Sequence, residues 1–324
     1  MNKVMTISIA AYNVESYLRK CLDSLLIPSM EKIEVLIQND GSKDQTAAIA
    51  REYEEKYPEV FRLVNKENGG YGSTINNSIR MATGKYFKQL DADDWYDTEN
   101  LENLINILEK TDVDCVYTPY IEHQEETGIQ ETHAIAGLKV GVQSIEDTLE
   151  DSYFVHMHVL AFRTELMRTH NVTILEHCFY TDVEYVVYPL IHCKKAFVWD
   201  KPIYYYRVGR EGQSVSIEGW RKHHAEHAHV IREILSHFDE IQAASPRLRF
   251  AVMRRLSHML RLQYVLDLTL GDQKQELVEL DRHIHKQYPE FFEFSKPYLG
   301  RTIQLLRLSN YILYPVLRKK FENS

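Results

Sequence analysis

A chain of 324 residues has room for one large domain with an appendage, or for two domains. Its composition is that of a globular protein, with 44% hydrophobic and 26% charged residues, and the formal net charge of −9 argues against a nucleic-acid partner. The four cysteines show no C-x-x-C spacing, which argues against a zinc knuckle and a disulfide framework and favours the reducing cytoplasm. No signal peptide is visible, and no apolar run of about 18 residues is present to span a membrane.

The N-terminal third of the chain alternates short apolar runs with helical patterns. We predict strands at residues 4–11, 33–38, 60–64 and 86–90. Helices are predicted at 14–26, at 43–56 and from the glycine-rich turn at 68–72 to residue 81. This order predicts a mostly parallel sheet with helices on both faces, in which ligands lie beyond the carboxyl ends of the strands.

A polar motif follows each of these four strands, so the motifs should meet at one edge of the sheet. They are residues 11–13 (Ala-Tyr-Asn), 39–40 (Asn-Asp), 68–70 (Asn-Gly-Gly) and 91–93 (Asp-Ala-Asp). Asp94 follows the last motif, and three neighbouring acids repel one another unless a cation lies among them. An oxygen-only cluster suits Mg²⁺ or Mn²⁺, which commonly bridge to phosphates. The alternative is an acidic start to a helix predicted at 98–109.

The order of elements is less clear between residues 113 and 217. We expect a strand at 115–121, a polar loop or hairpin edge at 124–135, and helical stretches at 144–149 and 160–169. Four amphipathic helices are predicted beyond, at 220–238, 247–270, 273–286 and 298–321. The change in pattern predicts an α/β domain at 1–217, with halves at about 1–112 and 113–217, and a helical region at 218–324.

The helical region carries two further patterns. His223 and His227 are four residues apart, a spacing that can hold zinc on a helix, although a solvated helical face is the simpler interpretation. Basic residues also lie among apolar ones at 247–261 and 301–320. Such helices can contact an anionic membrane surface peripherally, here the inner face, or they can pack against the other domain or a second copy of the chain as a homodimer.

The order of the motifs resembles that of the family 2 glycosyltransferases, inverting enzymes with a GT-A fold that use nucleotide-diphosphate sugars. The resemblance covers about residues 4–217. It is carried by residues 7–13 (Ile-Ser-Ile-Ala-Ala-Tyr-Asn), 39–46 (Asn-Asp-Gly-Ser-Lys-Asp-Gln-Thr), 68–70 with Asn76, 84–86 (Gly-Lys-Tyr) and 90–94 (Leu-Asp-Ala-Asp-Asp). It implies a GT-A, Rossmann-like, mostly parallel sheet flanked by helices, followed by the C-terminal helical region.

The resemblance also implies a set of residues that bind the nucleotide sugar. They are Ala11, Tyr12, Asn13, Glu15, Asp40, Asn68, Gly69, Gly70, Asn76, Asp91, Ala92, Arg207, Ser214 and Ser216. Asp40 can accept a hydrogen bond from a nucleobase imide N–H, which favours uracil over cytosine; alternatively it caps the helix predicted from residue 43. Tyr12 can stack on the base, and Gly69 and Gly70 permit close backbone approach.

Asp91 and Asp93 are the metal ligands that the resemblance implies, with Asp94 supporting them. At one position the chain departs from the family pattern, because Ile75 occupies the place where many members carry an arginine. A basic contact to the donor is therefore missing, or it comes from elsewhere, with Lys66 and Arg80 as candidates. We interpret His156 and His158 as structural histidines near the acceptor side.

An inverting transfer needs a carboxylate that takes the proton of the acceptor hydroxyl. Residues 180–185 (Tyr-Thr-Asp-Val-Glu-Tyr) resemble the family's catalytic segment, with Thr181 in place of the usual Glu and Asp182 at the catalytic Asp. Glu184 is the reserve candidate, but on a helix it points away from the face that Asp182 shares with Tyr185. Residues 204–216 resemble a closing loop in which an arginine and two serines bind the diphosphate.

These expectations describe a bacterial-type, cytoplasmic hexosyl- or N-acetylhexosaminyl-transferase. It would move a sugar from a UDP-sugar, with Mn²⁺ or Mg²⁺, to a carbohydrate, lipid-linked or glycoprotein acceptor in surface polysaccharide or glycan assembly. A sugar nucleotidyltransferase is one alternative, although its glycine-rich turn would follow the first strand rather than the third. A non-catalytic nucleotide-sugar-binding or scaffold subunit is the other, which Ile75 and Thr181 keep open.

Overall fold

The structure is a computed structural model that describes residues 3–134, 138–149, 156–209 and 217–321. The chain divides into two compact units, residues 1–211 and 212–324, whereas the sequence predicts a boundary near residue 217. No helix within the described ranges is both long enough and apolar enough to cross a bilayer.

The first unit is built on an eight-stranded sheet, and the strands predicted before residue 91 form its parallel part. In sheet order these strands are β3 (Phe61–Lys66), β2 (Ile33–Asp40), β1 (Met5–Ala11) and β4 (Tyr86–Asp91). β1 is central and almost completely buried, including its polar residues Thr6 and Ser8, as expected in a sheet covered on both faces. The register pairs Ala11 with Asn39 and Ala10 with Asp91, so the polar motifs end at one edge.

The sheet continues beyond β4 with shorter, partly antiparallel strands. They follow in the order β10 (Leu160–Arg163), β6 (Cys115–Tyr117), β11 (Lys195–Val198) and β9 (Gly141–Ser144). The helix predicted at 160–169 is wrong in its first half, because the apolar run there pairs with β4 and β6 and only α5 (Thr164–Thr169) is helical. The helix expected at 144–149 is one 3-10 turn, Ile145–Thr148.

A second sheet carries the aromatic-rich strands of this unit. In order they are β5 (Trp95–Tyr96), β12 (Tyr204–Val208), β7 (Tyr120–Gln124) and β8 (Gln130–His133). The strand predicted at 115–121 is therefore two strands in different sheets, interrupted at Pro119, which cannot donate to a ladder. β7 and β8 are antiparallel, so the region expected to be a loop or a hairpin edge is a hairpin.

Helices cover the sheets of this unit. Besides α5 they are α1 (Leu18–Asp23), α2 (Thr46–Lys56), α3 (Gly70–Met81), α4 (Thr98–Leu108) and α6 (Asp182–Leu190). α2 begins later than predicted because the N–H groups of Lys43 and Gln45 bond to side chains of the loop that follows β1. Asp97 caps α4 by accepting from the N–H of Asn100 at 2.8 Å, so the acids at 91–94 are not the start of that helix.

The second unit is helical throughout its described residues. Its helices are α7 (Ile217–Ser236), α8 (Phe238–Ala243), α9 (Pro246–Leu270), α10 (Lys274–Gln287), α11 (Pro289–Ser295), α12 (Gly300–Leu308) and α13 (Tyr314–Arg318). The other six pack against α9, the longest. The single helix expected at 298–321 is divided, because Asn310 and Tyr311 adopt positive φ and end α12.

Candidate active site

Two loops at the carboxyl edge of the parallel strands are locked together by side-chain bonds to backbone N–H groups. Asn13 accepts from the N–H of Lys43 at 2.8 Å, and Glu15 accepts from a second N–H of the same loop at 2.7 Å. In return, Ser42 and Asp44 accept from the N–H groups of residues 13 and 15, at 3.1 and 3.0 Å. The side chains of Asn13 and Glu15 therefore shape the loop, and their contact with a donor remains a prediction.

An open cavity of about 510 Å³ lies beside these loops. Its lining residues come from three strand ends and are Tyr12, Gly41, Lys43, Asn65, Lys66, Glu67 and Asn68. Tyr12 is 53% exposed, so its ring is accessible to a planar ligand. The cavity volume lies within the range of about 300–1,000 Å³ that small-molecule sites occupy. Lys43, Asn65 and Glu67 were not predicted, because a lining position has no sequence signal of its own.

Asp40, at the end of β2, caps α3 rather than α2. Its two carboxylate oxygens accept from the N–H groups of Gly69 and Gly70, both at 2.9 Å, and Lys66 Nζ donates to one of them. The alternative that Asp40 caps the helix beginning near residue 43 is therefore wrong. A carboxylate offers about four acceptor positions. Three are used here, which leaves one for the nucleobase contact that the sequence predicts.

The acids at and just after the end of β4 have different environments. Asp91 ends the strand and accepts from the Tyr71 hydroxyl at 2.9 Å. Asp94 is buried, and its oxygens accept from the Tyr204 hydroxyl (2.6 Å) and from a backbone N–H of β12 (2.7 Å). Burial raises the pKa of Asp94 well above its usual value, and the charges of Asp93 and Asp91 raise it further. Asp94 therefore joins β12 to the end of β4. We call Asp91, Asp93 and Asp94 together the acidic motif.

Asp91, Asp94 and His158 offer ligand atoms that lie within 4.8 Å of one another. His158 lies in a 3-10 turn before β10, and its buried Nδ1 finds no hydrogen-bond partner among the described residues. Burial lowers the pKa of this imidazole and keeps it neutral, the form that binds metals. Two carboxylates and an imidazole fit a divalent ion such as Mn²⁺. Asp93, the second predicted ligand, is not part of this group. The ring of His158 also packs on Tyr204 and Tyr206, so the predicted structural role of this histidine stays open beside a metal-binding one.

The guanidinium of Arg207 is buried and already engaged. It donates to the carbonyl oxygen of Asp93 at 2.8 Å and pairs with the carboxylate of Glu125. The rings of Tyr17 and Trp95 flank it, each with its centroid 4.9 Å from Cζ. Arg207 thus joins β12 to the acidic motif, and its predicted contact with a diphosphate requires release from Glu125.

α3 holds the segment that leads to the predicted base. This base segment, residues 174–181, precedes α6. The side chain of Asn76 accepts from the N–H of Ile174 and donates to its carbonyl oxygen, both at 2.8 Å, and donates to Glu176 at 3.0 Å. The amide of Asn76 is therefore occupied by the protein, and its predicted contact with the donor remains untested.

Two glycines of the glycine-rich turn also contact the base segment. The N–H of His177 donates to the carbonyl oxygen of Gly69 at 2.6 Å. At Gly72 an added Cβ would lie 2.0 Å from the carbonyl oxygen of Leu175, so only glycine permits this approach. The turn that the sequence assigns to donor approach therefore also positions the base segment.

Asp182 and Glu184 have separate environments on α6. Asp182 is the first residue of the helix, where the helix dipole favours its ionised form. Glu184 is completely buried and accepts from the N–H of Leu175 (2.9 Å) and from the hydroxyl of Tyr188 (3.0 Å). Glu184 therefore holds the base segment against α6, and the role of Asp182 as the base remains a prediction.

Two tyrosines connect the acidic motif with Asp182. Burial raises the pKa of Tyr71, and the charges of Asp91 and Asp182 both add to the effect. Burial also raises the pKa of Tyr206, on which Asp182 and all three acids of the motif act. Asp182 and the three acids therefore all lie near enough to act on the hydroxyl of Tyr206. Neither tyrosine was among the site residues predicted from the sequence, although Tyr71 follows the Gly-Gly pair and Tyr206 belongs to a conspicuous tyrosine run.

The positions of the remaining predicted residues do not bear on their predicted roles, except for His227. Ala11 ends β1 and Ala92 follows β4, and both side chains are buried. Ser214 and Ser216 lie outside the described residues. In the second unit, His227 is buried and its Nδ1 lies 2.8 Å from a glutamine oxygen of α9, so it is not on a solvated face.

Residues 6–176 match the family model described as Glycosyl transferase family 2. An uncharacterized glycosyltransferase of Rickettsia prowazekii is 36% identical over 159 residues, which cover 48% of this chain and 47% of that protein. The minor teichoic acid biosynthesis protein GgaB of Bacillus subtilis is 29% identical over 208 residues, 63% of this chain and 23% of that protein. The matches thus span about half or less of these relatives' lengths.

Two solved structures resemble the fold. The crystal structure of S. aureus TarS 1–349 in complex with UDP-GlcNAc superposes with a TM-score of 0.71 at 18% identity, covering 99% of this chain and 92% of that chain. The mannosyltransferase PcManGT from Pyrobaculum calidifontis, in complex with GDP-Man and Mn²⁺, gives a TM-score of 0.53 at 17% identity over 99% and 85% of the two chains. These likenesses confirm the GT-A fold. Because the family model also spans more than half of the sequence, the chain belongs to glycosyl transferase family 2.

Proposed function

We propose that this chain transfers a sugar from a UDP-sugar to an acceptor hydroxyl, with inversion, assisted by a divalent metal ion and with Asp182 as the general base. The observation that carries the proposal is the group of ligand atoms from Asp91, Asp94 and His158, which lies at the sheet edge where the polar strand-end motifs meet. Family membership supports the reaction class. The UDP and UDP-GlcNAc complexes of TarS support the nucleotide.

The nucleoside of the donor occupies the cavity beside Tyr12. Tyr12 stacks on the uracil ring, and the remaining acceptor position of Asp40 receives its imide N–H. Lys66 lines the cavity at the end of β3, whereas Arg80 lies in the last turn of α3, away from the strand ends. Lys66 therefore stands in for the arginine replaced by Ile75. To reach the donor, its ammonium must leave one of its present partners, Asp40, Ser73 or the carbonyl oxygen of residue 67.

Asp91 and His158 hold the metal ion, and Asp93 or Asp94 completes the protein ligands. An imidazole among carboxylates favours Mn²⁺ over Mg²⁺, which prefers an all-oxygen shell. When bound, the ion supplies positive charge that stabilises the leaving diphosphate. Tyr71 orients Asp91 through the hydrogen bond between its hydroxyl and Oδ1.

Asp182 takes the proton of the acceptor hydroxyl as the oxygen attacks the anomeric carbon. The bond from the anomeric carbon to the diphosphate oxygen breaks on the opposite side, so the configuration inverts in one displacement. The base segment determines where Asp182 lies, because it is fixed to α3 by Asn76 and by the close approach at Gly72. Glu184 of α6 fixes the same segment from a second element, and a general base requires a geometry held in this way.

The acceptor belongs to surface polysaccharide or glycan assembly, and the sugar is a hexose or an N-acetylhexosamine. The names of bacterial relatives, including GgaB and the chondroitin synthase of Escherichia coli, support this class. The described cysteines are buried free thiols, which supports a reducing cytoplasm as the compartment.

Calorimetry with UDP tests the donor site. We expect UDP to bind more tightly when Mn²⁺ is present, because the metal ligands and the cavity serve one ligand. Absence of UDP binding under both conditions would contradict the proposal. As a control for the nucleotide, CDP should bind more weakly if Asp40 reads the imide N–H.

Turnover tests the base. Asp182→Asn should retain UDP binding and lose sugar transfer by about a thousandfold, within the range for loss of a general base. Glu184→Gln on the same helix is the comparison: it should lower thermal stability together with turnover, because Glu184 bonds the base segment, whereas Asp182→Asn should lower turnover alone. Unchanged turnover of Asp182→Asn would remove Asp182 from the mechanism.

The same assays separate the two alternatives. A binding or scaffold subunit would bind UDP without releasing sugar from any UDP-sugar in a donor panel. A nucleotidyltransferase would instead form pyrophosphate from UTP and a sugar phosphate. We expect UDP release from a UDP-sugar and no pyrophosphate.

A further inference from the structure

The end of the second unit carries apolar side chains on two faces. One set, including Ile303, Leu306 and Leu317, is buried. A second set points outward, and we call it the outer patch: Leu305, Leu308, Ile312, Leu313 and Val316. A surface helix needs one apolar face to pack on its core. The second apolar face therefore requires a partner outside this unit.

The exposure of the outer patch is large. Leu308 is 83% exposed, Ile312 76% and Val316 63%, and all three lie within a nine-residue stretch. Scattered exposed apolar residues are normal, but a contiguous group of this kind marks an interaction surface. Leu305 and Leu308 are three residues apart on α12, so they share a helical face.

The charge of this segment differs from that of the whole chain. Residues 294–321 contain six basic residues and no Asp or Glu, in a chain whose formal net charge is −9. Arg301, Lys319 and Lys320 are exposed and flank the outer patch in sequence. Three acids, Asp267, Asp272 and Glu276, act on the buried Tyr314, which belongs to the inward set. The outer patch is therefore an apolar surface in a segment whose exposed charged residues are all positive.

Buried polar contacts fix the segment in this presentation. Arg307 pairs with Asp281 at 2.6 Å, and the hydroxyls of Tyr264 and Tyr311 bond to the same carboxylate. The hydroxyl of Tyr314 donates to a backbone oxygen of α9 at 2.9 Å. The outer patch is thus a preformed surface on a folded unit rather than a tail that folds on contact.

We propose that the outer patch inserts into the headgroup region of a bilayer that carries anionic lipids. Leucine, isoleucine and valine enter the acyl boundary, while Arg301, Lys319 and Lys320 attract the lipid phosphates. A second copy of the chain fits less well. In a two-fold symmetric contact the same surface faces itself, which brings the positive charges of both copies together.

Vesicle flotation of the full chain tests this proposal. We expect the protein to float with vesicles containing phosphatidylglycerol and to stay with the soluble fraction when the vesicles are phosphatidylcholine alone. Added salt should reduce flotation, because exposed charges are screened. Failure to float with the anionic vesicles would overturn the proposal.

Two double variants test the residues. Leu308→Asp/Ile312→Asp and Lys319→Glu/Lys320→Glu should each weaken binding to the anionic vesicles by at least about tenfold. The matched control is Ile129→Asp/Val142→Asp, which changes two exposed apolar residues of the first unit, 63% and 59% exposed, and should bind like the wild type.

Stability and mass measurements keep the outcomes separate. All of the changed residues are exposed, so melting temperatures should stay within a few degrees of the wild type. Wild-type flotation by both outer-patch variants would overturn the proposal. So would a wild-type dimer in light scattering that dissociates in Leu308→Asp/Ile312→Asp while no protein binds vesicles, because that result assigns the surface to a second copy. UDP binding should be unchanged throughout.

Discussion

Replacing Asn76 by alanine distinguishes a donor contact from the structural role seen here. The amide bonds the N–H and the carbonyl oxygen of Ile174, each at 2.8 Å, in a buried position. In the alanine variant these two backbone groups stay buried without their partner, and each such loss costs about 1–3 kcal/mol. We expect the unfolding free energy of the first unit to fall by about 3 kcal/mol.

The same substitution should slow the reaction. The base segment loses its main attachment to α3, and a displacement of about 1 Å at a catalytic group can cost about a hundredfold in rate. We therefore expect kcat for sugar transfer to fall about a hundredfold. UDP affinity should not change, because no donor contact is lost.

Thermal unfolding, UDP calorimetry and transfer at saturating donor measure these effects. A loss of about 3 kcal/mol should lower the melting temperature by about 6–12 °C in a unit of this size. Asn77→Ala is the matched control: Asn77 is the next residue of α3, bonds Gln38 at 2.8 Å and makes two longer bonds within the same helix, of 3.5 and 3.4 Å. It should lose only about 1 kcal/mol and keep its kcat.

The opposite pattern would refute the reasoning. If Asn76→Ala kept its melting temperature and its kcat but bound the UDP-sugar at least about tenfold more weakly, Asn76 would be a donor ligand. The hydrogen bonds to the base segment would then be incidental.

Three further predictions follow from particular contacts. Gly72→Ala should lower kcat, although alanine is the better helix former, because the added Cβ would lie 2.0 Å from a carbonyl oxygen of the base segment; an unchanged kcat would show that the segment adjusts freely. Tyr71→Phe removes the hydroxyl that donates to Asp91, and Mn²⁺ titrations of UDP binding should show metal affinity about tenfold weaker, with little change in melting temperature. Burial raises the pKa of Asp267 to about 7 from a usual value of 3.8. Between pH about 4 and 7 the folded chain therefore holds a proton that the unfolded chain has released. The contribution of Asp267 to the unfolding free energy falls as pH rises through that window. Asp267→Asn should therefore gain stability over the wild type as pH rises to 7. His227, whose pKa burial lowers to about 4, acts in the opposite direction in both proteins, so its contribution cancels in the comparison. A constant difference in unfolding free energy across this range would contradict the assignment.

The parallel half of the sheet was predictable because its signals are local. The buried strand β1 is short and mostly apolar, and the motif after each strand shows where the chain leaves the core. Prediction failed where pairing between distant strands decided the outcome. Residues 160–163 have helix-compatible side chains, yet they form β10 because β4 and β6 offer backbone partners on both sides.

The amino-acid sequence by itself determined the family resemblance, the position of the acidic motif at a strand end and the choice of Asp182 as base, since each depends on residue order along short segments. Only the tertiary structure decided which partners those residues have. Asp40 caps α3, Arg207 is enclosed by Glu125 and aromatic rings, and His158 joins Asp91 at the candidate metal site. The physical reason is that hydrogen bonding, burial and charge act between atoms that are near in space, and folding brings residues far apart in the chain within that range.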